Sequence, residues 1–268
     1  MARAFADGAY DAVRFADPTA ITLLPEDARN KLERMRHAAA TLTAREHFEL
    51  RMLEKRAQVM VARTVAIDDA IRKATSPQLV ILGAGLDGRA WRMPELENVV
   101  VFEVDHPDSQ REKRERATAL TQTARDVRFV PVDFKHGHLT DALTTAGHDP
   151  TLPTTWVWEG VVMYLERSEI AETLRAIASL SAKGSQLVVM YLSPAWLLAL
   201  IGIAVRRVGE PLRSIFTERE MRSLLVEHGF VVTSDLDAPS VGSALSMEFG
   251  RQLRRVGKHI RFAEATIP

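Results

Sequence analysis

The sequence predicts an α/β protein: a doubly wound parallel sheet preceded by an all-helical segment. Three observations carry this reading. Short apolar runs recur from Leu79 to Tyr191, separated by polar stretches of helical length, the pattern of strands buried on both faces and covered by helices. A glycine-rich turn, Gly83-Ala84-Gly85-Leu86-Asp87-Gly88, closes the first run. From Glu46 to Lys73 there is neither Gly nor Pro, and Leu50, Leu53, Ala57, Met60, Val61, Val65, Ile67 and Ile71 recur at helical spacing.

In chain order, Asp17-Pro18 reads as a helix start, with Asp as cap and Pro at the first position. Strands are expected at Leu79–Leu82, Val99–Phe102, Val127–Val132, Trp156–Trp158 and Leu187–Tyr191. Charged or amphipathic helices are expected near 108–121 and 167–181. Thr217 and Glu220 have capping-box spacing and open a C-terminal helix. Phe230–Ser234 and Ala244–Phe249 read as two further strands.

Composition narrows the function. The chain has 268 residues, 46% apolar and 26% charged, with 35 basic and 35 acidic residues. Zero net charge argues against non-specific nucleic-acid binding, which depends on neutralising phosphates. With no Cys, disulfides, thiolate catalysis, Cys–zinc sites and iron–sulfur clusters are excluded. The most apolar run, Trp196–Val205, is ten residues long and is broken by Gly202; a membrane span needs about 20. No signal-peptide core opens the sequence, so the expectation is a cytoplasmic protein without membrane or nucleic-acid partners. His136 and His138 lack an evident third ligand, so no metal is expected. Arg251–Arg261 reads as a solvated helix face.

The turn at Gly83 has the spacing G-x-G-x-x-G, which lets backbone approach a ligand at a helix start. Glu103 and Asp105 follow Gly83 by 20 and 22 residues, as a ribose-binding acid would. An NAD site shows the same features. Three others point away from it. About 75 helical residues precede the loop. Asp87 would repel a pyrophosphate. Asp133 and Glu159 place further carboxylates at strand ends, where ligands of open sheets bind. S-adenosylmethionine, with a sulfonium, an ammonium and a ribose diol but no phosphate, suits such a site. Asp87 reads equally as the cap of the following helix.

Several segments taken together are more specific: Val13–Pro18, Val61–Asp69, Val80–Arg89, Phe102–Pro107 and Trp158–Leu165. In this order the sequence resembles the leucine carboxyl methyltransferase family, especially its bacterial branch of small-molecule S-adenosylmethionine-dependent O-methyltransferases. The resemblance implies a seven-stranded class I methyltransferase sheet, Rossmann-like, with an N-terminal helical cap over 1–76. The core would span 77–268 and carry a substrate-lid insertion at 193–216, all in one structural domain.

The resemblance also implies the cofactor contacts. Arg63 holds the methionine carboxylate, and Gly83 and Gly85 give backbone contact. Asp105 takes the ribose, with Glu103 on the same strand face. Asp133-Phe134 flanks adenine, although Asp133 could instead cap the next helix. Glu159 sits near the transferred methyl or the amino-acid end. Where the family more often carries Thr, this chain has Gly88, which should loosen the loop. The acceptor would be a small hydrophobic or aromatic, polyketide-like molecule, methylated on a carboxylate rather than a hydroxyl. A carboxylate, with a reference pKa near 4, needs no base; a phenol would, and His106 or Tyr164 are the candidates. The expected assembly is a monomer or homodimer. The alternatives are an NAD-dependent oxidoreductase and a non-methylating descendant that keeps the cofactor.

Overall fold

The computed structural model describes residues 1–7, 15–37, 42–134, 138–194 and 212–268. Val13, Arg14, His136 and most of the expected lid, 195–211 with Trp196, lie outside the described residues.

Four helices open the chain: α1 (Ala2–Ala6), α2 (Ala20–Leu23), α3 (Glu26–His37) and α4 (Ala44–Ala74). The start of α4 is fixed chemically. Thr43 accepts from the Glu46 amide while the Glu46 carboxylate takes the Thr43 amide at 2.9 Å, so two otherwise orphaned amide protons are satisfied. Asp17-Pro18 forms a turn rather than the start of a helix. Ala20 N donates to the Asp17 carbonyl, Thr19 is the residue before α2, and the buried Asp17 carboxylate accepts the Thr19 hydroxyl at 2.7 Å.

Then β1 (Gln78–Leu82), α5 (Arg89–Arg92), β2 (Val100–Asp105), α6 (Pro107–Ala117), β3 (Asp126–Pro131), α7 (Leu139–Thr145), β4 (Thr154–Trp158), α8 (Arg167–Ser179) and β5 (Gln186–Leu192) alternate. The chain continues through α9 (Glu218–Glu227), β6 (Val231–Asp237), α10 (Ala238–Leu245), α11 (Met247–Val256) and β7 (Ile260–Thr266). One seven-stranded sheet results, in the order β3-β2-β1-β4-β5-β7-β6. β1 to β5 pair in parallel; β7 runs antiparallel between β5 and β6. β1 and β4 are buried at every position, as central strands covered on both faces must be. Alternate residues feed two cores. Val80, Phe102, Trp156 and Val189 pack with α8 and α9, while Leu79, Ile81, Val157 and Val188 pack with Ile67, Ala70 and Ile71 of α4.

The expected strand at Ala244–Phe249 is instead the joint between α10 and α11. Ser246 accepts from the Phe249 amide at 3.1 Å and so starts α11. A Cβ on Gly250 would lie 2.0 Å from the Ser243 hydroxyl, so the two helices touch where a strand would need side chains. The last strand comes later, at Ile260. There Arg261, which was read as part of a solvated basic face, is bound to Asp235 (2.9 Å) and Glu218 (2.9 Å).

Glu103 lies in the second core, fully buried, with Lys113 Nζ of α6 at 2.6 Å and that ammonium 5.2 Å from the Trp91 ring. Burial pushes the Glu103 carboxyl up to about 7, although Lys113 pulls the other way. The folded protein therefore holds this proton more tightly than the unfolded chain. The resulting stability is complete below about pH 4.5 and is lost as pH rises through about 7, on the order of 3 kcal/mol over the window. His148, pushed down to about 4 by burial, has the opposite slope. In urea titrations, the wild-type stability minus that of Glu103→Gln should fall from pH 5 to pH 8, because His148 cancels in the difference. A pH-independent difference would refute the assignment.

Candidate active site

The loop after β1 is built by close approach. The amides of Gly83 and Ala84 both donate to the Val104 carbonyl, at 2.8 and 3.1 Å. Gly83 has φ of 70°, and a Cβ there would sit 2.1 Å from a Val161 methyl, so only glycine fits. The amides of Gly85 and His106 donate to the two oxygens of Asp105, at 2.5 and 2.6 Å. These bonds orient the carboxylate and leave each oxygen further acceptor capacity. A glycine turn and an oriented acid at the tips of neighbouring parallel strands fit a ribose with two hydroxyls.

Beside this loop lies a cavity of about 330 Å³. Its floor is the loop from Gly83 to Asp87. Glu159, Gly160, Met163 and Tyr164 follow β4, Met190 comes from β5, and Met60 and Arg63 come from α4. The N-terminal segment roofs it with Arg3, Ala20 and Leu24. The N-terminal helices thus border the site directly.

Charge holds these parts together. Glu159 accepts from Arg3 at 2.8 Å, from Arg89 at 2.8 Å, and from Arg63. Arg89, fully buried at the start of α5, also binds Asp87 and reaches Asp68 at 2.7 Å. Arg92 binds Asp68 at 2.7 Å and approaches Asp17 at 3.6 Å. Four arginines therefore face four carboxylates. Burial alone would raise the Glu159 carboxyl, but Arg63, Arg89 and Arg3 hold it well below the usual range. Asp87 is likewise held down against burial by Arg89 and Arg3. Glu159 and Asp87 thus stay ionised in spite of their burial.

The structure gathers Arg63, Gly83, Gly85, Glu159 and Tyr164 around the cavity, with Asp105 bonded to its floor. Glu103 lies beneath, engaged with Lys113. Asp133 and Phe134 follow β3, where Phe134 lines a separate cavity of about 370 Å³ with Val132 and His138. His106 is half exposed before α6, where its ring accepts from the Asp108 amide at 3.3 Å. Gly88, not Asp87, is the cap residue of α5, and the Asp87 carboxylate, besides binding the Arg89 guanidinium, accepts the Arg89 amide at 2.8 Å. Because Arg89 matches its charge, Asp87 is a poor argument against a pyrophosphate. Gly88 has a packing role. A Cβ there would lie 1.9 Å from the Thr19 hydroxyl, so its absence lets the N-terminal segment seat on the loop. Among the described residues no three metal-ligating side chains gather, and no helix is long and apolar enough to cross a membrane.

Sequence reasoning missed Arg3, Asp68, Arg89 and Gly160. One signal was available. Asp87 and Arg89 stand two residues apart with opposite charge beside the glycine loop. Gly160, with φ of 76°, leaves room for the Arg63 guanidinium 3.1 Å from where a Cβ would be. Removing the central cation should strand Asp87 and leave Asp68 and Glu159 each with one guanidinium fewer. Arg89→Met is expected to cost about 3–5 kcal/mol and to lower Tm by roughly 6 °C or more in thermal denaturation. A Tm unchanged within 2 °C or so would show that the network does not hold the fold.

Residues 1–178 match the leucine carboxyl methyltransferase family. A protein of Mycobacterium sp. (strain JLS) named "Putative S-adenosyl-L-methionine-dependent methyltransferase" is 34% identical over 177 residues, which cover 66% of this chain and 59% of that one. A relative of the same description from Mycolicibacterium smegmatis is 40% identical over 141 residues, 51% of this chain and 46% of that one. The chain thus matches about half to three fifths of the length of these relatives. Among solved structures, a duf574 family protein from Streptomyces avermitilis superposes with a TM-score of 0.63 at 12% identity, covering 100% of this chain and 97% of that one. The magnesium protoporphyrin IX methyltransferase of Synechocystis, solved with bound SAH, gives 0.51 at 13% identity over 91% and 95%. At such identities the likeness is one of fold: the sheet and its flanking helices are those of class I methyltransferases. With 178 of its 268 residues matched, the chain belongs to the leucine carboxyl methyltransferase family.

Proposed function

We propose that the chain is an S-adenosylmethionine-dependent O-methyltransferase acting on a small hydrophobic acceptor, with carboxylate favoured over hydroxyl. The observation that carries this reading is the matched pair Arg63 and Glu159 at the strand tips, beside a glycine loop with the oriented Asp105. Arg63 suits the carboxylate of the cofactor's amino-acid end, through the bidentate fit of a guanidinium. Glu159 suits its ammonium. Asp105 has the acceptor capacity for two ribose hydroxyls. The family assignment and the names of the relatives support the same cofactor. When bound, it supplies a methyl group already activated by a sulfonium.

The protein's task is then alignment and water exclusion, which together can supply about 7–11 kcal/mol of barrier reduction. Met60, Met163 and Met190 give the cavity polarisable, adaptable walls, suited to flat apolar acceptors. Its charged side chains are Arg3 and Arg63 against Asp87 and Glu159, a formal balance of zero. A cofactor with two positive charges and one negative leaves one positive charge over. An anionic acceptor restores neutrality, whereas a neutral phenol would first have to lose its proton. Tyr164, which lines the cavity, is the better candidate for a base than His106, whose ring accepts from the Asp108 amide.

Calorimetry should show S-adenosylhomocysteine binding at micromolar or tighter Kd. Asp105→Ala should weaken it at least tenfold, about 1.4 kcal/mol. Binding of NAD and not of S-adenosylhomocysteine would instead favour an oxidoreductase.

A methyl-transfer screen over hydrophobic carboxylic acids and phenols tests the acceptor. With acids, kcat/KM should be flat from pH 6 to 8 and insensitive to Tyr164→Phe. A rate rising about tenfold per pH unit and seen only with phenols would overturn the carboxylate preference. Cofactor binding with no transfer to any acceptor would favour a non-methylating descendant.

A further inference from the structure

Away from the active site, α4 and α11 meet along a groove of about 690 Å³. From α4 it takes Arg51, Glu54, Lys55 and Gln58, at i, i+3, i+4 and i+7, which is one face of a helix. From α11 it takes Glu248, Arg251, Gln252 and Arg255, the same spacing again. Gln58 donates to Gln252 at 3.2 Å and ties the two walls. Four cations thus face two carboxylates, an excess of two positive charges in a protein whose net charge is zero. All four cations are exposed. Elsewhere on α4 the surface arginine Arg45 is satisfied within its own helix, by Glu49. Phe48, one turn before Arg51 on α4, is also 58% exposed.

We propose that this groove docks an acidic helical segment of a partner protein. Each wall presents two cations four residues apart, about 6 Å along the helix axis. Carboxylates four residues apart on a docked helix have the same spacing. Glu54 and Glu248 set the class of partner. Phosphates crowd a nucleic-acid backbone or a lipid surface continuously and would meet both carboxylates at like-charge cost. A protein helix can place a basic or neutral residue opposite each of them. Concavity points the same way, since a flat membrane surface does not enter a groove. The seat lies three turns before Arg63 on the same helix, yet shares no residue with the cavity at the strand tips.

The test is fluorescence anisotropy on the full chain with a labelled 20-residue helical peptide carrying Glu at every fourth position. A peptide with Lys in those places is the control. The Glu peptide should bind with a Kd of tens of micromolar or tighter at 50 mM salt, and the Lys peptide should not. Arg251→Glu/Arg255→Glu should weaken binding at least tenfold. Arg219→Glu/Arg222→Glu, an equal charge change on α9, should leave it within twofold. S-adenosylhomocysteine affinity should be unchanged in both double variants, which separates a failure of this seat from a failure of the cofactor site. No Glu-peptide binding up to 1 mM, or equal loss in the two double variants, would overturn the proposal. Tighter binding to duplex DNA or to phosphatidylglycerol vesicles, lost with Arg251→Glu/Arg255→Glu, would overturn the choice of partner.

Discussion

Glu159 is one carboxylate with three arginines. Arg3 arrives from the N-terminal helix, Arg63 from the middle of α4 and Arg89 from the turn after β1. Those partners lie 156, 96 and 70 residues away in sequence, and Glu159 itself is 5% exposed. A lone carboxylate so placed would cost several kcal/mol and would neutralise itself by taking up a proton. Three guanidiniums remove that option. The cost of burying charge is offset only when all four pieces of chain are in register, so the ion cluster acts as a register pin for the strand tips.

The same cluster prepares the cavity. Arg63 and Glu159 face one another there with most of their surface buried, the pair proposed above for the cofactor's carboxylate and ammonium. Arg89 keeps Glu159 ionised through its second oxygen while the first is shared by Arg3 and Arg63. Glycines complete the arrangement by what they lack. Gly83 yields to Val161, Gly88 to Thr19 and Gly160 to the Arg63 guanidinium. At each place a side chain would separate two parts of the site. The loop's glycine spacing is therefore explained as much by protein–protein contact within the chain as by ligand approach.

Much of the fold was legible because burial on both faces leaves a plain trace. The runs at Leu79, Val99, Val127, Trp156 and Leu187 are strands at nearly the expected bounds, and α4 fills the stretch without Gly or Pro. The Thr217–Glu220 box forms as its spacing suggests. The error at Ala244–Phe249 has a local cause. Ser246 as a cap and Gly242 and Gly250 as contact points decide that segment, and these outweigh a brief apolar run. Asp17 misled for a related reason: its side chain was read as a local cap, but it is taken by Thr19 and by the distant Arg92.

Taken alone, the order of residues determined the alternation of strands and helices, the glycine turn after β1 and the acid at the end of β2. These follow from periodicity and from backbone chemistry within a few residues. Tertiary structure decided which charges meet. Glu103 and Asp105 share a strand face two residues apart, yet one is sealed under Lys113 while the other is bonded to the glycine loop that floors the cavity. Asp87 reads as a helix cap or a charge set against a pyrophosphate, and is instead buried with Arg89, which also holds Glu159 and Asp68. Desolvation and long-range pairing set these outcomes, and neither has a period in the sequence by which it could be read.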